Sequence, residues 1–457
     1  MAALTKEQLR DKAFEALDHK VRILDAGLRI GEGVVEAAGG GVTTKEGGSF
    51  RHGKKQGMFQ PGVIDANVRA GQGGGGRVPG HTDGGKGKPG SQADGGTKPG
   101  SQAAGHLGSA EPELKGPIPG LDDKLPSMFH IPLGYWMFLR PNPKSDYALE
   151  YENGTFYVTK DGNEIWRDIT FEARPKFYDG FTSDGKAFLD IGMILTDKCV
   201  EVWYSNECAF KERGEDCMFC DINNRGGDIF LKQPHHIAEL VKAAFDEGVA
   251  DRLDFTGGVI AERREIEYYS DSIEAIQDAL GRTGLNASAC IAAPRDFENI
   301  VRLKEAGFSN ITINKEIWDE NFFNTVCPGK ARTVGHKRWI EALEFAAKTF
   351  GFGHVRCNFV TGIEPKFKTL EGVEYLAGVG VYGNTNIFGP RPGTPFEGVR
   401  SPTPEWNLDM AIKAADIQIR AGLTYALVKN CHPEVHQPIF DVYRIREELL
   451  PIFGGGA

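Results

Sequence analysis

Asn206-Glu-Cys-Ala-Phe-Lys-Glu-Arg-Gly-Glu-Asp-Cys-Met-Phe-Cys-Asp-Ile222 carries three cysteines, Cys208, Cys217 and Cys220, at the spacing C-x8-C-x2-C. Three thiolates are one short of filling a tetrahedral iron–sulfur or zinc site. A cluster held by three protein ligands keeps one iron open, and an open position makes a metal site reactive rather than structural. Phe219, just before the last cysteine, is placed to shield such a cluster from water. Two blander readings stay open. One is a structural zinc site, which needs a fourth ligand that no nearby His or Cys offers at zinc-finger spacing; the other is chance clustering of buried cysteines.

The segments around this loop alternate between strand and helix patterns. An apolar run at 188–196 leads into the cysteines and is expected to be the first strand. Further strands are expected at 252–256, 287–292, 310–314, 354–360 and 384–388. Helices are expected at 235–247, 266–280, 296–306, 336–349, 370–379 and 407–421. Six βα units in one run predict an α/β fold, a partial (β/α)6 barrel of TIM type. In such barrels chemistry sits at the C-terminal ends of the strands. The cysteines, Gly257-Gly258, Pro294-Arg295, Glu316, Thr361-Gly362 and Gly389-Pro390 all follow predicted strands, which places them on one rim.

The remaining chain divides by composition. Residues 1–38 form an N-terminal helical segment, with Leu9, Ala13, Leu17, Val21, Leu24 and Leu28 at helical spacing and Thr5 as its cap. Residues 39–125 are glycine-rich, with the run Gly73–Gly76 and two copies of Lys-Pro-Gly-Ser-Gln-Ala, and are expected to be a disordered linker. Without a strand before it and a helix after it, the glycine run is not a phosphate loop. The stretch 59–68 is less polar and is a candidate for docking on the main domain. Residues 126–187 form a β-rich elaboration, with hairpin signals at Asn153-Gly154 and Asp161-Gly162. The barrel core is set at 188–399 and a C-terminal helical extension at 400–457.

Bulk properties exclude several classes. A formal charge of −10 argues against nucleic-acid or membrane-surface binding, which need a basic face. No run of eighteen apolar residues predicts a membrane span, and the first residues lack the apolar core of a signal peptide. Eight cysteines in 457 residues do not suggest a disulfide scaffold, so a reducing cytoplasm is expected.

With these motifs in place, the chain resembles the radical S-adenosylmethionine superfamily over about 188–399. There a 4Fe–4S cluster is held by three cysteines after the first strand of a partial barrel, with an aromatic residue before the last cysteine. The usual first gap is three residues rather than eight. The resemblance implies that Cys208, Cys217 and Cys220 bind the cluster, and that the open iron takes the amino and carboxylate groups of S-adenosylmethionine. Reductive cleavage then yields a 5′-deoxyadenosyl radical, which abstracts hydrogen from an unactivated C–H bond. Gly257-Gly258 looks like the Gly-Gly-Glu strand end that meets the cofactor's amino group, with the acid displaced to Glu262. Asn314-Lys-Glu316 resembles the Asn-x-Glu pattern of the biotin-synthase-like branch, and Arg332 is a candidate fork for the cofactor carboxylate. Gly362 and Glu364 fall on the adenine-contacting strand end. Arg391-Pro-Gly-Thr-Pro resembles a rim loop of the same branch, and makes Arg391 a substrate candidate.

For Gly257-Gly258 the plain alternative is a turn, for Arg332 a surface ion pair, and for Arg391 packing. The resemblance further implies an electron donor such as flavodoxin or ferredoxin and a small-molecule substrate. Rivals are a non-catalytic iron–sulfur or zinc protein, and a radical maturase that meets a partner protein through the N-terminal arm. Cys431, His432 and His436 hint at a second metal site, but no further cysteine pair supports one. A cobalamin domain has no room to form in residues 1–125.

Overall fold

The computed structural model describes residues 6–39, 128–206, 208–222, 231–260, 262–391, 393–431 and 436–449. The predicted linker from residue 40 onward, with Gly73–Gly76 and the 59–68 stretch, lies outside them, as do Pro392 and His432. Among the described residues no helix is long and apolar enough to cross a membrane.

Helix α1 (Lys6–Ala26) ends where Gly27 turns the chain with φ +72°. A side chain at Gly27 would come within 2.7 Å of the Arg140 carbonyl oxygen, so only glycine fits. The single helix expected over 6–38 is therefore broken. Strand β1 (Arg29–Ile30) and helix α2 (Val34–Gly39) follow.

Strands β2 (Met128–Ile131) and β3 (Tyr135–Phe138) form a hairpin. Strands β4 (Tyr147–Glu152), β5 (Thr155–Lys160) and β6 (Asn163–Ile169) form an antiparallel meander, and β1 pairs parallel with β4. Its two turns are Asn153-Gly154 and Asp161-Gly162, all four residues at φ between +50° and +83°. Two successive left-handed residues are what a tight hairpin of this twist requires.

The main sheet has seven strands in the order β13-β12-β11-β10-β9-β8-β7. Its edge strand β7 (Gly192–Ile194) is antiparallel to β8 (Cys199–Ser205). Here the first-strand expectation is corrected. The apolar run at 188–196 is a short 3-10 turn plus this edge strand, and Asp197 and Lys198, both at positive φ, reverse the chain into β8. It is β8 that feeds the cysteine loop, through helix α3 (Ala209–Glu212).

Five more strands run parallel to β8, in chain order across the sheet. The order along the chain is α4 (Pro234–Asp246), β9 (Arg252–Gly257), α5 (Glu262–Leu280), β10 (Asn286–Ile291), α6 (Glu298–Ala306) and β11 (Asn310–Ile313). Two short helices, α7 (Glu320–Val326) and α8 (Pro328–Thr333), precede α9 (His336–Phe350), β12 (Val355–Thr361), α10 (Lys366–Gly378) and β13 (Val381–Ile387). Strand residues alternate between two interiors. Leu253, Phe255, Ala289, Ile311, Val355 and Phe359 are buried in the apolar core, which they share with helix residues such as Trp339, Leu343 and Ala346 of α9. The intervening residues face the lumen and are largely polar.

The chain closes with α11 (Pro404–Arg420), α12 (Tyr425–Cys431) and α13 (Pro438–Arg444). Helix α1 packs on α11 and α13, burying Ala13, Leu17, Val21 and Ile23. The fully buried Lys20 ammonium donates to the Asp441 carboxylate. The N-terminal helix is thus built into the folded body rather than carried on the tip of an arm.

Candidate active site

The cysteine loop is pinned at the C-terminal rim of the parallel strands by backbone hydrogen bonds from three sides. Met218 N donates to Val326 O (2.9 Å), Gly329 N to Glu215 O (2.9 Å), and Phe396 N to Met218 O (3.0 Å). Gly329 has no side chain because Phe210 and the Glu215 carbonyl lie within 2.8 Å of where its Cβ would sit. Cys208, Cys217 and Cys220 are not disulfide-bonded, and each is partly buried. Cys217 shares a hydrogen bond with the buried thiol of Cys327, at the α7–α8 junction; that bond and burial push the Cys217 thiol well up from its ordinary range. Binding a metal displaces such a proton.

Below the loop the barrel lumen opens into a cavity of about 200 Å³. Phe219, Cys220 and Asp221 form one wall, with Glu316, Arg391 and Gly389 at the rim. Strand residues Glu201, Asp254, Thr256, Cys290, Arg356, Asn358 and Asn386, with Asn314 just past β11, line much of the rest, and Val360, Ile387 and Phe388 add an apolar wall. Glu316 holds φ +69°, a left-handed backbone that a glutamate rarely adopts. Its N–H donates to Asn358 O and its carbonyl accepts from Val360 N, both at 2.9 Å, so the neighbouring strand imposes the conformation. The carboxylate accepts from Lys330 Nζ at 2.8 Å, and the same ammonium donates to Asn314 O at 2.6 Å. Burial works against the Lys330 charge, but Glu316 and the nearby thiols outweigh it and hold the lysine above its ordinary range.

Of the residues singled out from sequence, Phe219, Cys220, Asn314, Glu316, Gly389 and Arg391 reach this cavity. Arg391 lies 3.7 Å from Asp221 across the mouth. The others do not line it. A Cβ on Gly257 would meet Ser205 backbone atoms at 2.9 Å, so close strand approach explains that glycine. The Gly258 carbonyl already accepts from the Tyr204 hydroxyl at 2.9 Å, and its N–H donates to Ser205 O. Gly362, at φ +103°, packs against Pro402. Glu364 is a buried clamp: it accepts from Trp318 N, Asp319 N and the Thr369 hydroxyl between 2.7 and 3.0 Å. Arg332 is two-thirds exposed and pairs with Glu215 at 3.1 Å. The cofactor roles expected for these five residues remain expectations; what the structure gives is the protein contacts of each. The cation that reaches Glu316 is Lys330, two residues before Arg332.

At the suspected second metal site, Cys431 and His436 are buried, and the His436 ring contacts Phe138 and the Gln437 amide. Among the described residues the grouping with single-ion spacing is a different one, Asp184, His235 and His236. Its carboxylate is already engaged by His236 Nε2 at 2.9 Å and the Thr182 hydroxyl at 2.5 Å.

Three soft thiols beside an open cavity of mixed polar and apolar lining leave room for a further ligand. Six parallel strands, β8 to β13, stand in barrel order, with the three-cysteine loop after the first of them.

The chain is similar to the bacteriochlorophyllide c C-7(1)-hydroxylase of Chlorobaculum limnaeum, with 28% identity over 262 residues, 53% of this chain and 65% of that protein. The chain thus spans less than two thirds of that relative's length. Among solved structures it is similar to methylornithine synthase (17% identity, TM-score 0.38, 56% of this chain and 73% of that one). It is also similar to a radical SAM methyltransferase from Sphaerobacter thermophilus (14% identity, TM-score 0.38, 62% of this chain and 76% of that one). No protein-family model matches the chain.

Proposed function

We propose that this chain is a radical S-adenosylmethionine enzyme that abstracts a hydrogen atom from a small molecule. The observation that carries the reading is the three-cysteine loop pinned over a cavity with polar and apolar walls at the C-terminal strand rim. Cys208, Cys217 and Cys220 hold the cluster, and Phe219 covers its cavity side. Glu316, backed by Lys330, and Asn314 present acceptors to the polar end of the cofactor. When bound, the cluster and cofactor supply, at the cost of one electron from a flavodoxin- or ferredoxin-type donor, methionine and a 5′-deoxyadenosyl radical that takes hydrogen from the substrate. The lumen walls exclude bulk water and orient the substrate carbon. The relative's printed name is that of a hydroxylase, which fits activation of a C–H bond. The maturase reading loses its motive, because the N-terminal helix proposed to meet a partner is buried in the fold.

The test is anaerobic reconstitution followed by S-adenosylmethionine and dithionite. We expect 5′-deoxyadenosine from wild type, and loss of both iron–sulfur absorption and cleavage in Cys217→Ala. Cys327→Ser, outside the ligand set, keeps the absorption. A loaded cluster that never yields 5′-deoxyadenosine refutes the enzyme assignment, and absorption that persists in Cys217→Ala refutes the ligand assignment.

A further inference from the structure

Arg140 stands just past β3, and the turn that ends α1 fixes its backbone. Leu28 N donates to Arg140 O and Asn142 N donates to Leu28 O, both at 2.7 Å. The half-buried side chain lines a recess of about 40 Å³, with Val21 and Asp25 of α1, Phe138 of β3 and Asn407 of α11. Ile387 at the end of β13, and Phe388 and Gly389 just past it, line both this recess and the lumen cavity. The two are therefore neighbours across one wall. A Cβ on Gly389 would meet nothing within 4 Å, so the wall is open at that point.

Among the described residues the Arg140 guanidinium makes no hydrogen bond and no ion pair. Burial pushes it down to about 9; Asp25 opposes that from beyond ion-pair distance, and Arg391 adds to it by like-charge repulsion. The group is still charged at neutral pH. A charge drawn out of water destabilises the fold unless a counter-charge meets it. A guanidinium also presents a planar fork of N–H donors that matches a carboxylate in two parallel bonds. Held rigidly, half out of water and without a counter-ion, Arg140 is placed for an anion that arrives from outside.

We propose that the substrate is a small carboxylic acid whose carboxylate reaches over Gly389 into this recess and is bound by Arg140. The proposal rests on the radical-enzyme reading and adds the chemical class of its substrate. A single water needs about 10–15 Å³, so about 40 Å³ takes a group of a few atoms rather than a ring. The recess is separate from the cavity assigned to the cofactor, so the two ligands do not compete for one volume. The plain alternative is a water that bridges Arg140 to Asn407 Oδ1, an acceptor buried without a partner among the described residues.

The test uses the reconstituted full-length enzyme without reductant, with propionate and its neutral isostere propionamide as probes. We expect propionate to raise the melting temperature of wild type as its concentration rises, with or without S-adenosylmethionine, and propionamide to leave it unchanged. Arg140→Gln weakens the apparent propionate affinity about tenfold or more, and Arg140→Lys keeps part of it. In carboxylate-free buffer Arg140→Gln melts at or above wild type, because a charge without its counter-ion is gone. No propionate response in wild type, or one that survives in Arg140→Gln, overturns the proposal. So does a variant that melts well below wild type in carboxylate-free buffer, the result that a bridging water would give. Competition between propionate and S-adenosylmethionine, with weaker cofactor binding in Arg140→Gln, gives the site to the cofactor's own carboxylate and also overturns it. None of these measurements needs turnover, so the proposal can fail while the radical reading stands. A loaded cluster that never yields 5′-deoxyadenosine takes down the radical reading and, with it, the substrate assignment, whatever propionate does.

Discussion

Two carboxylates in adjacent rim segments look alike in sequence and do opposite work. Glu316 faces the cavity, while Glu364 spends both oxygens on Trp318 N, Asp319 N and the Thr369 hydroxyl. Glu364→Ala strands two backbone donors and a hydroxyl, at about 1–3 kcal/mol for each buried group left unsatisfied. The expected net loss, after partial relaxation, is about 3 kcal/mol in denaturant melts, with 5′-deoxyadenosine formation retained at temperatures where the variant is folded. Arg332 and Lys330 make a second contrast. Arg332→Ala removes an exposed pair and is expected to change stability by no more than about 0.5 kcal/mol. Lys330→Met leaves the Glu316 carboxylate without its cation in a site where both partners are largely buried, and is expected to cost about 3–5 kcal/mol. Equal melting curves for these two variants would sink the assignment of Lys330 as the cation behind Glu316. The sequence pointed to this stretch, and within it the residue that pairs with Glu316 is Lys330. A helix places residues two apart on different faces, and no strand periodicity says which face of α8 turns inward.

At the scale of elements, the strand–helix alternation was legible because the apolar sides of β9 to β13 meet amphipathic helices. The lumen was less so. Asp254/Thr256, Ser288/Cys290, Thr312/Asn314, Arg356/Asn358 and Asn384/Asn386 repeat with period two, the pattern of a half-exposed strand. In a parallel β/α run, where helices cover one face, the polar face has to be the lumen, and that signal could have located the cavity. Strand β8 was missed because the apolar run before it drew the assignment, and only the left-handed turn at Asp197-Lys198 separates the two. Helix α1 shows the cost of reading an element without its partner. Its contact with α13 is anchored by Lys20 and Asp441, both at most 1% exposed. Burial raises the Asp441 carboxyl to about 6 even with Lys20 beside it. A raised carboxyl favours the folded state below its ordinary value and loses that contribution as pH climbs through about 6. Lys20→Met removes the cation, so Asp441 must either protonate or stay charged and buried. The expected destabilisation is about 3–5 kcal/mol at pH 7.5 and smaller at pH 5, where protonation relieves it. Lys20→Met/Asp441→Leu should recover most of the loss. Thermal melts at both pH values decide this, and a loss independent of pH would count against the buried pair.

For the whole molecule, residues 6–39 change from appendage to staple. Strand β1 extends the small sheet by pairing with β4, while α1 lies on α11 and α13 behind the barrel. One segment therefore joins the β elaboration to the C-terminal helices. Leu17, Val21, Ile23, Leu28 and Val34 are at most 1% exposed. At about 1.5–3 kcal/mol for each large side chain buried, these five contribute on the order of 10 kcal/mol before any entropy offset. That is comparable to the roughly 5–15 kcal/mol by which a whole domain is stable. Removing residues 1–38 would also expose the facing surfaces of α11 and α13 and leave Asp441 buried without Lys20. The expected outcome is a chain with no cooperative thermal transition that cannot retain iron on reconstitution. A truncated protein that melts cooperatively within a few degrees of wild type would restore the picture of an independent arm. The same experiment bears on function: if α1 were a docking element, its loss would spare cleavage of S-adenosylmethionine, whereas a staple takes the cavity and the cysteine loop down with it.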